Sequence, residues 1–162
     1  MNPKNVKVEI ISVSAQQTME IARSIGDKLK DGDVLALSGE LGSGKTCFTA
    51  GLAGGLGVSD QYRITSPTFT LINEYPGRSK LCHFDVYRLN SAAEFEDLGY
   101  EEYFCGGGVV VIEWAEKIAQ LLPDDALQIH FEYLDENKRK IIVKGPEKRL
   151  KELKIDTKME VV

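Results

Sequence analysis

The chain has 162 residues, of which 43% are hydrophobic and 28% are charged, so it is long enough to bury a core without disulfide or metal staples. Its net charge is −5, so the protein has no overall positive field that would attract nucleic acid. No apolar run approaches the roughly 20 residues that span a bilayer, which argues against a membrane-spanning helix. The three cysteines form no CxxC pair and only two histidines are present, which argues against zinc and for a reducing, cytoplasmic compartment.

The predicted elements alternate between strands and helices. In the first half they are a strand over 6–11, a helix over 14–30, a strand over 34–38, a helix over 45–56 and an extended segment over 64–75. Ser14 with Gln17 three residues later forms a capping box, which fixes the start of the first helix. The run at 34–38 is continuously apolar up to its last residue, which is typical of a strand buried on both faces.

The second half continues the alternation and then ends in a hairpin. Its predicted elements are a strand over 81–87, a helix over 91–98 stopped by Gly99, a strand over 109–113, a helix over 115–122 and hairpin strands over 127–133 and 140–144. From about residue 146 the chain reads as a short charged helix that frays. The alternation predicts an α/β fold with a mainly parallel central sheet and added antiparallel strands, including the C-terminal hairpin. No linker or repeat divides the sequence, so residues 1–162 are interpreted as one domain.

A glycine-rich loop lies between the strand at 34–38 and the helix that starts at Lys45. Residues 39–46 read GELGSGKT, which matches the pattern G-x-x-x-x-G-K-[ST] at every position. The glycines let backbone N–H groups cradle phosphate oxygens, and the helix points its N-terminus at the same anion. Lys45 would bring charge to the β- and γ-phosphates, and the Thr46 hydroxyl would bind magnesium. The sequence therefore predicts a P-loop that binds ATP with Mg²⁺ in a three-layer P-loop NTPase fold.

Two acidic residues at strand ends could complete this site. A P-loop needs acids that hold the magnesium shell and orient the attacking water. Asp85 follows residues 81–84 and Glu113 follows residues 109–112. The second run is the more continuous, because His83 interrupts the first, and a single histidine without nearby partners is more typical of a structural residue. The pattern alone leaves the division of roles between the two carboxylates open.

Four motifs in this order resemble the TsaE (YjeE) family of small bacterial ATPases. They are Gly39-Glu40-Leu41-Gly42-Ser43-Gly44-Lys45-Thr46, Ser66-Pro67-Thr68-Phe69, His83-Phe84-Asp85-Val86-Tyr87-Arg88 and Ile112-Glu113-Trp114. The resemblance covers roughly residues 18–144. Ser43 stands where alanine is frequent in the family and Cys47 is a mild variation, but neither removes a chemical group that the site needs.

The resemblance implies an accessory ATPase required for threonylcarbamoyladenosine (t6A) modification of tRNA. It would act with the TsaB–TsaD heterodimer, meet tRNA only through that complex, and hydrolyse ATP to ADP slowly until the partners stimulate it. Carried over by motif, the catalytic residues would be Glu113, Lys45 and Asp85, and the magnesium ligands Thr46, Asp85 and Glu113. The nucleotide-binding residues would be Glu40, Leu41, Gly42, Ser43, Gly44, Lys45, Thr46, Cys47, Ser66, Thr68 and Trp114. Residues 66–69 would act as a switch segment near the γ-phosphate.

The residues leave two other functions open. A small-molecule kinase would carry a lid of clustered arginines, whereas only Arg63, Arg78 and Arg88 lie between the P-loop and Glu113. A nucleotide-dependent binding module with negligible turnover would carry the same loop. The basic run at 138–140 is interpreted as a solvated hairpin face rather than a tRNA contact, because neighbouring acids cancel its charge.

Overall fold

Residues 4–155, which the computed structural model describes, alternate between strands and helices. The strands are β1 (Asn5–Ser12), β2 (Val34–Gly39), β3 (Ile72–Tyr75), β4 (Lys80–Asp85), β5 (Gly108–Glu113), β6 (Leu127–Tyr133) and β7 (Arg139–Pro146). The helices are α1 (Ala15–Gly26), α2 (Lys45–Gly55), α3 (Ala92–Glu96), α4 (Tyr100–Cys105) and α5 (Glu147–Glu152), with 3-10 turns over Ala115–Leu121. None of the helices within residues 4–155 has the length and apolar character needed to cross a membrane.

In this part of the chain the strands form a seven-stranded sheet in the order β1-β7-β6-β2-β5-β4-β3. Its centre is parallel, since β2 pairs with both β5 and β6, and β4 pairs with β5. Its edges are antiparallel, through β1 and the β6–β7 hairpin on one side and β3 on the other. The predicted α/β sheet is confirmed. Because β2, β5 and β4 run in the same direction, Gly39, Glu113 and Asp85 meet at one edge of the sheet.

The two faces of the sheet carry separate apolar cores. One core joins the sheet to α1, α2 and α5 through buried side chains such as Ile25, Phe48 and Leu150. The other joins it to α3 and the 3-10 turns through Phe95 and Ile118, with α4 packed beside them. The sheet is therefore covered by helices on both faces, which confirms the three-layer arrangement.

The helix predicted over 14–30 begins as expected, with the Ser14 side chain accepting from the backbone N–H of Gln17 at 3.0 Å. It ends at Gly26 rather than Lys30. The guanidinium of Arg78 donates to the carbonyls of Gly26 and Leu29 at 3.1 and 3.0 Å. A side chain distant in sequence thus satisfies carbonyls at the end of α1, which lets the chain turn early.

The segment predicted as extended over 64–75 is irregular up to Leu71, and only β3 forms a strand. Pro67 has no N–H to donate to a sheet, and its carbonyl accepts from the N–H of Leu71 at 2.7 Å. Leu71 has a φ of +69°, and its carbonyl accepts from the N–H of Asp85 at 3.0 Å. The segment therefore folds over the end of β4, and that strand ends at Asp85 instead of Tyr87.

Two further differences lie in the helical layer around β5. Gly99, predicted to stop a helix, has a φ of +71° and also precedes α4, a helix that the sequence pattern did not predict. The helix predicted over 115–122 consists of 3-10 turns because its backbone kinks at Ile118, where φ is −128° and the side chain is fully buried.

The C-terminal helix is present, but its segment packs on the core as far as Ile155. Leu150, Leu153 and Ile155 are buried. Arg149 forms an ion pair with Asp33 at the start of β2. The predicted short charged helix is therefore present, but the expected fraying is not seen up to Ile155, and residues 156–162 lie outside the described residues.

A close approach of α1 and α2 yields a stability prediction. A Cβ on Gly51 would lie 2.4 Å from the carbonyl oxygen of Met19, whereas one on Gly54 would meet only the flexible side chain of Arg23, at 3.3 Å. We expect Gly51→Ala to lower the free energy of unfolding by about 1–3 kcal/mol through overpacking. Gly54→Ala, the matched control, should be neutral or gain about 0.5–1 kcal/mol of helix propensity. Urea unfolding measures both, and equal midpoints would contradict the close packing.

Candidate functional site

The loop at 39–46 joins the end of β2 to the start of α2. Gly42 and Gly44 have φ values of +76° and +112°, in the left-handed region that glycine adopts without strain. Because α2 begins at Lys45, its first backbone N–H groups lack helical partners at the loop. A cradle of free N–H groups at a helix N-terminus is suited to bind an anion.

Lys45 is held inside this loop, with only 4% of the residue exposed. Its Nζ donates to the carbonyls of Gly39 and Glu40 at 2.6 and 2.9 Å, and it lies 4.1 Å from the centre of the Trp114 ring. An ammonium has three N–H groups, and the third has only a long hydrogen bond of 3.4 Å, to the Ser43 hydroxyl. The charge is thereby fixed at the centre of the loop.

Burial and nearby charges act on two side chains of the loop region. Burial lowers the pKa of Lys45, while the carboxylates of Glu113, Glu116 and Asp85 act in the opposite direction. Burial raises the pKa of the Cys47 thiol, against the weaker opposing effect of Arg139. Cys47 is therefore kept in its neutral thiol form and is a poor nucleophile.

Glu113 lies at the end of β5, the strand next to β2, and both of its carboxylate oxygens have partners. The Thr46 hydroxyl donates to Oε1 at 2.8 Å. Nε2 of His83 lies 2.5 Å from Oε2. Glu113 is only 2% exposed. A side chain of α2 and a side chain of β4 thus fix one carboxylate between them.

Asp85 is the register partner of Glu113 on the neighbouring strand β4. The Ser66 hydroxyl donates to its Oδ2, and the backbone N–H of Tyr87 donates to Oδ1 at 2.9 Å. Asp85 therefore connects the sheet edge to the predicted switch segment, and the two acids expected from the sequence lie side by side.

These groups surround one cavity of about 400 Å³. Its lining residues are Leu41, Gly42, Gly44, Lys45, Thr46, Cys47, Ser66, Thr68, Asp85, Tyr87, Glu113 and Trp114. Of the residues predicted for the site, only Glu40 and Ser43 do not line it. Glu40 contributes its carbonyl to Lys45, and the Ser43 hydroxyl lies 3.4 Å from the same ammonium.

Three residues of this region were missed by the sequence analysis as site residues. Tyr87 lines the cavity with its ring centre 4.8 Å from that of Trp114. His83 contacts Glu113. His83 and Tyr87 each lie two residues from Asp85, and this spacing from the predicted acid could have indicated both. Arg139 donates to the carbonyls of Ser43 and Gly42 at 3.2 and 3.4 Å, so its interpretation as part of a solvated face is wrong. No local signal could reveal that contact, because 96 residues separate Arg139 from Ser43.

The residues present fit a nucleotide with a magnesium ion. The Thr46 hydroxyl and the carboxylates of Asp85 and Glu113 are the hard oxygen ligands that Mg²⁺ prefers. The left-handed glycines, the N-terminus of α2 and Lys45 form a cradle suited to phosphate. The chain therefore has the P-loop nucleotide-binding fold, with two acids on neighbouring strands beside the loop.

Comparison with known proteins identifies the family. A family model described as "Threonylcarbamoyl adenosine biosynthesis protein TsaE" matches residues 12–141, and the chain belongs to the TsaE family. The tRNA threonylcarbamoyladenosine biosynthesis protein TsaE of Treponema pallidum is 47% identical over 133 residues, covering 82% of this chain and 97% of that relative. The protein of the same name from Bacillus subtilis is 46% identical over 131 residues, covering 80% of each.

A solved structure agrees with this assignment. The crystal structure of Bacillus subtilis YdiB matches with a TM-score of 0.79 and 37% sequence identity, covering 94% of both chains. The resemblance read from the four sequence motifs is confirmed.

Proposed function

We propose that this chain binds and hydrolyses Mg-ATP as an accessory protein in t6A biosynthesis, in the cytoplasm, with residues 1–162 acting as one domain. The assignment to t6A biosynthesis rests on relatives at 46–47% identity that are named for this process. The observation that carries the ATPase activity is the contact of the Thr46 hydroxyl with Glu113 at 2.8 Å. It joins the helix that starts at the phosphate loop to a buried acid on the next strand.

Nucleotide binding is assigned to the loop and its helix. The backbone N–H groups around Gly42 and Gly44 would receive the β-phosphate, and Lys45 would turn the N–H that now reaches the Ser43 hydroxyl to the γ-phosphate. Thr46, Asp85 and Glu113 would hold Mg²⁺, which neutralises negative charge on phosphate oxygens when it is bound.

Hydrolysis is assigned to Glu113. A buried carboxylate whose two oxygens are held from opposite sides has little freedom to rotate, so it can orient a water molecule and accept its proton. Asp85 is likewise held by two donors, the Ser66 hydroxyl and the Tyr87 N–H, so occupied oxygens do not separate the two acids. What favours Glu113 is its contact with Thr46, on the helix that starts at the phosphate loop. This division of roles is the one that the sequence pattern left open.

The segment 66–69 is proposed to report the nucleotide state to a TsaB–TsaD heterodimer, through which the chain would meet tRNA indirectly. Ser66 contacts Asp85, Thr68 lines the cavity, and Phe69 is 80% exposed with the Arg88 guanidinium 4.2 Å from its ring centre. A nucleotide that changes the Ser66–Asp85 contact would therefore move an exposed aromatic side chain.

The arginines weigh against the kinase alternative. Arg78 donates to three main-chain carbonyls at the end of α1, and Arg88 lies on Phe69. Arg63 remains, and one arginine does not make the clustered lid that phosphoryl transfer to a small acceptor requires. The alternative of a binding module without turnover differs from the proposal only in the hydrolysis rate.

Phosphate release from Mg-ATP tests the proposal, measured for the purified chain alone and with the TsaB–TsaD pair and tRNA. We expect slow release by the chain alone and marked stimulation by the pair. The Glu113→Gln variant with the same pair controls for contaminating hydrolysis. Tight Mg-ATP binding with no release under either condition would favour the binding module, and phosphate transfer to a small molecule would favour the kinase.

A further inference from the structure

His83 lies in the interior of the sheet, where its neighbours in register are Asn73 on β3 and Val111 on β5. The residue is 0% exposed. Within residues 4–155, Nδ1 of His83 is the buried side-chain nitrogen or oxygen that has no hydrogen-bond partner. The other ring nitrogen, Nε2, lies 2.5 Å from Oε2 of Glu113. The ring therefore makes its polar contact with a single group.

An unpaired buried nitrogen destabilises a fold, so a purely structural role accounts poorly for this residue. The flanking buried positions of β4 are occupied by Cys82 and Phe84, which bring no unpaired polar atom. An apolar side chain would pack at position 83 without that cost. What the histidine adds is one hydrogen-bond donor aimed at Glu113.

The contact also fixes which nitrogen carries the proton. A carboxylate only accepts hydrogen bonds, so Nε2 must be the protonated nitrogen at the contact with Oε2. The Thr46 hydroxyl donates to the other oxygen, Oε1, at 2.8 Å. Two donors on different oxygens, one from β4 and one from α2, set both the position and the plane of the carboxylate.

We propose that His83 is a positioning residue for hydrolysis, which holds Oε2 of Glu113 so that Oε1 stays directed at the nucleotide cavity. This inference rests on the proposed role of Glu113 as the group that orients water. The hydrogen bond from Thr46 to Oε1 alone would still let the carboxylate of Glu113 pivot around that contact. His83 removes that freedom without itself lining the cavity, which it reaches through Glu113.

The test compares His83→Leu with His83→Gln in steady-state hydrolysis of Mg-ATP. Leucine removes the donor together with the unpaired Nδ1 but leaves Oε2 of the buried Glu113 without its partner, so we expect kcat to fall about tenfold and the urea midpoint of unfolding to fall modestly, with the variant still folded. The KM and the Kd for Mg-ATP should stay within about twofold, because the loop contacts are unchanged. Glutamine can place its amide N–H near the position of Nε2 and should recover most of the lost rate.

A double-mutant cycle with Glu113→Gln separates positioning from a general effect. In the Glu113→Gln background, we expect His83→Leu to cause no further loss of rate, because the group that it positions is already disabled. A kcat for His83→Leu within about twofold of the wild type, or an equal fractional loss in both backgrounds, would overturn the proposal.

Two controls separate failure of this proposal from misfolding of the variant and from absence of the ATPase activity. If His83→Leu does not fold, His83→Asn replaces it, since its shorter amide reaches only the position of Nδ1 and should show the same loss; equal rates for Asn and Gln would overturn the proposal. Absence of hydrolysis by the wild-type chain, alone and with the TsaB–TsaD pair, would instead reject the proposed ATPase function. The two failures are thus distinguishable.

Discussion

Glu113→Gln is expected to lower the rate of Mg-ATP hydrolysis by about 100-fold or more, the range that a positioned general base contributes. The amide keeps the shape of the side chain and one accepting oxygen, but it cannot take a proton from water. Affinity for Mg-ATP should change by no more than about threefold, because the loop cradle and Lys45 remain in place. Single-turnover hydrolysis and equilibrium nucleotide binding measure the two quantities separately.

Glu116→Gln is the matched control for this prediction. It makes the same chemical change near the same site, but Glu116 is exposed and does not line the cavity. We expect it to retain the wild-type rate. If Glu113→Gln hydrolysed ATP as fast as Glu116→Gln, the catalytic role would pass to Asp85 or to another group.

The parts of the fold that depend on local pattern were predictable. The buried run before residue 39, the glycine positions of the loop and the alternation in β6 place a phosphate loop in a mainly parallel sheet. Departures occur where tertiary contacts decide the local structure. Arg78 ends α1 early, and the contact of Asp85 with Leu71 keeps the preceding segment out of the sheet.

In the candidate site too, the local pattern was predictable and the tertiary contacts were not. Asp85 and Glu113 are visible in the sequence because each closes an apolar strand, but their environments are not. That Ser66 and Tyr87 occupy the oxygens of Asp85, whereas Thr46 and His83 hold Glu113, depends on which elements the fold brings together. The proposed division of roles therefore rests on contacts that only the structure gives, although the identity of the two acids could be predicted from the sequence.

Lys45→Ala is expected to weaken Mg-ATP binding by about 10- to 100-fold, corresponding to a charge-assisted hydrogen bond of about 1.5–3 kcal/mol. The substitution removes the charge at the centre of the loop and also leaves the carbonyls of Gly39 and Glu40 without the donor that now holds them. Both effects act on binding, because the loop loses its phosphate contact together with an internal support.

Lys138→Ala is the control for charge alone, since Lys138 is exposed on the β6–β7 turn and its removal changes the net charge by the same amount. Titration with a fluorescent ATP analogue at about 0.15 M salt, where exposed charges are screened over roughly 8 Å, should leave the affinity of this variant near that of the wild type. Equal losses in the two variants would show that Lys45 acts through the general field of the protein. A loss confined to Lys45→Ala would assign the phosphate contact to the ammonium that Gly39, Glu40 and Trp114 hold in the loop.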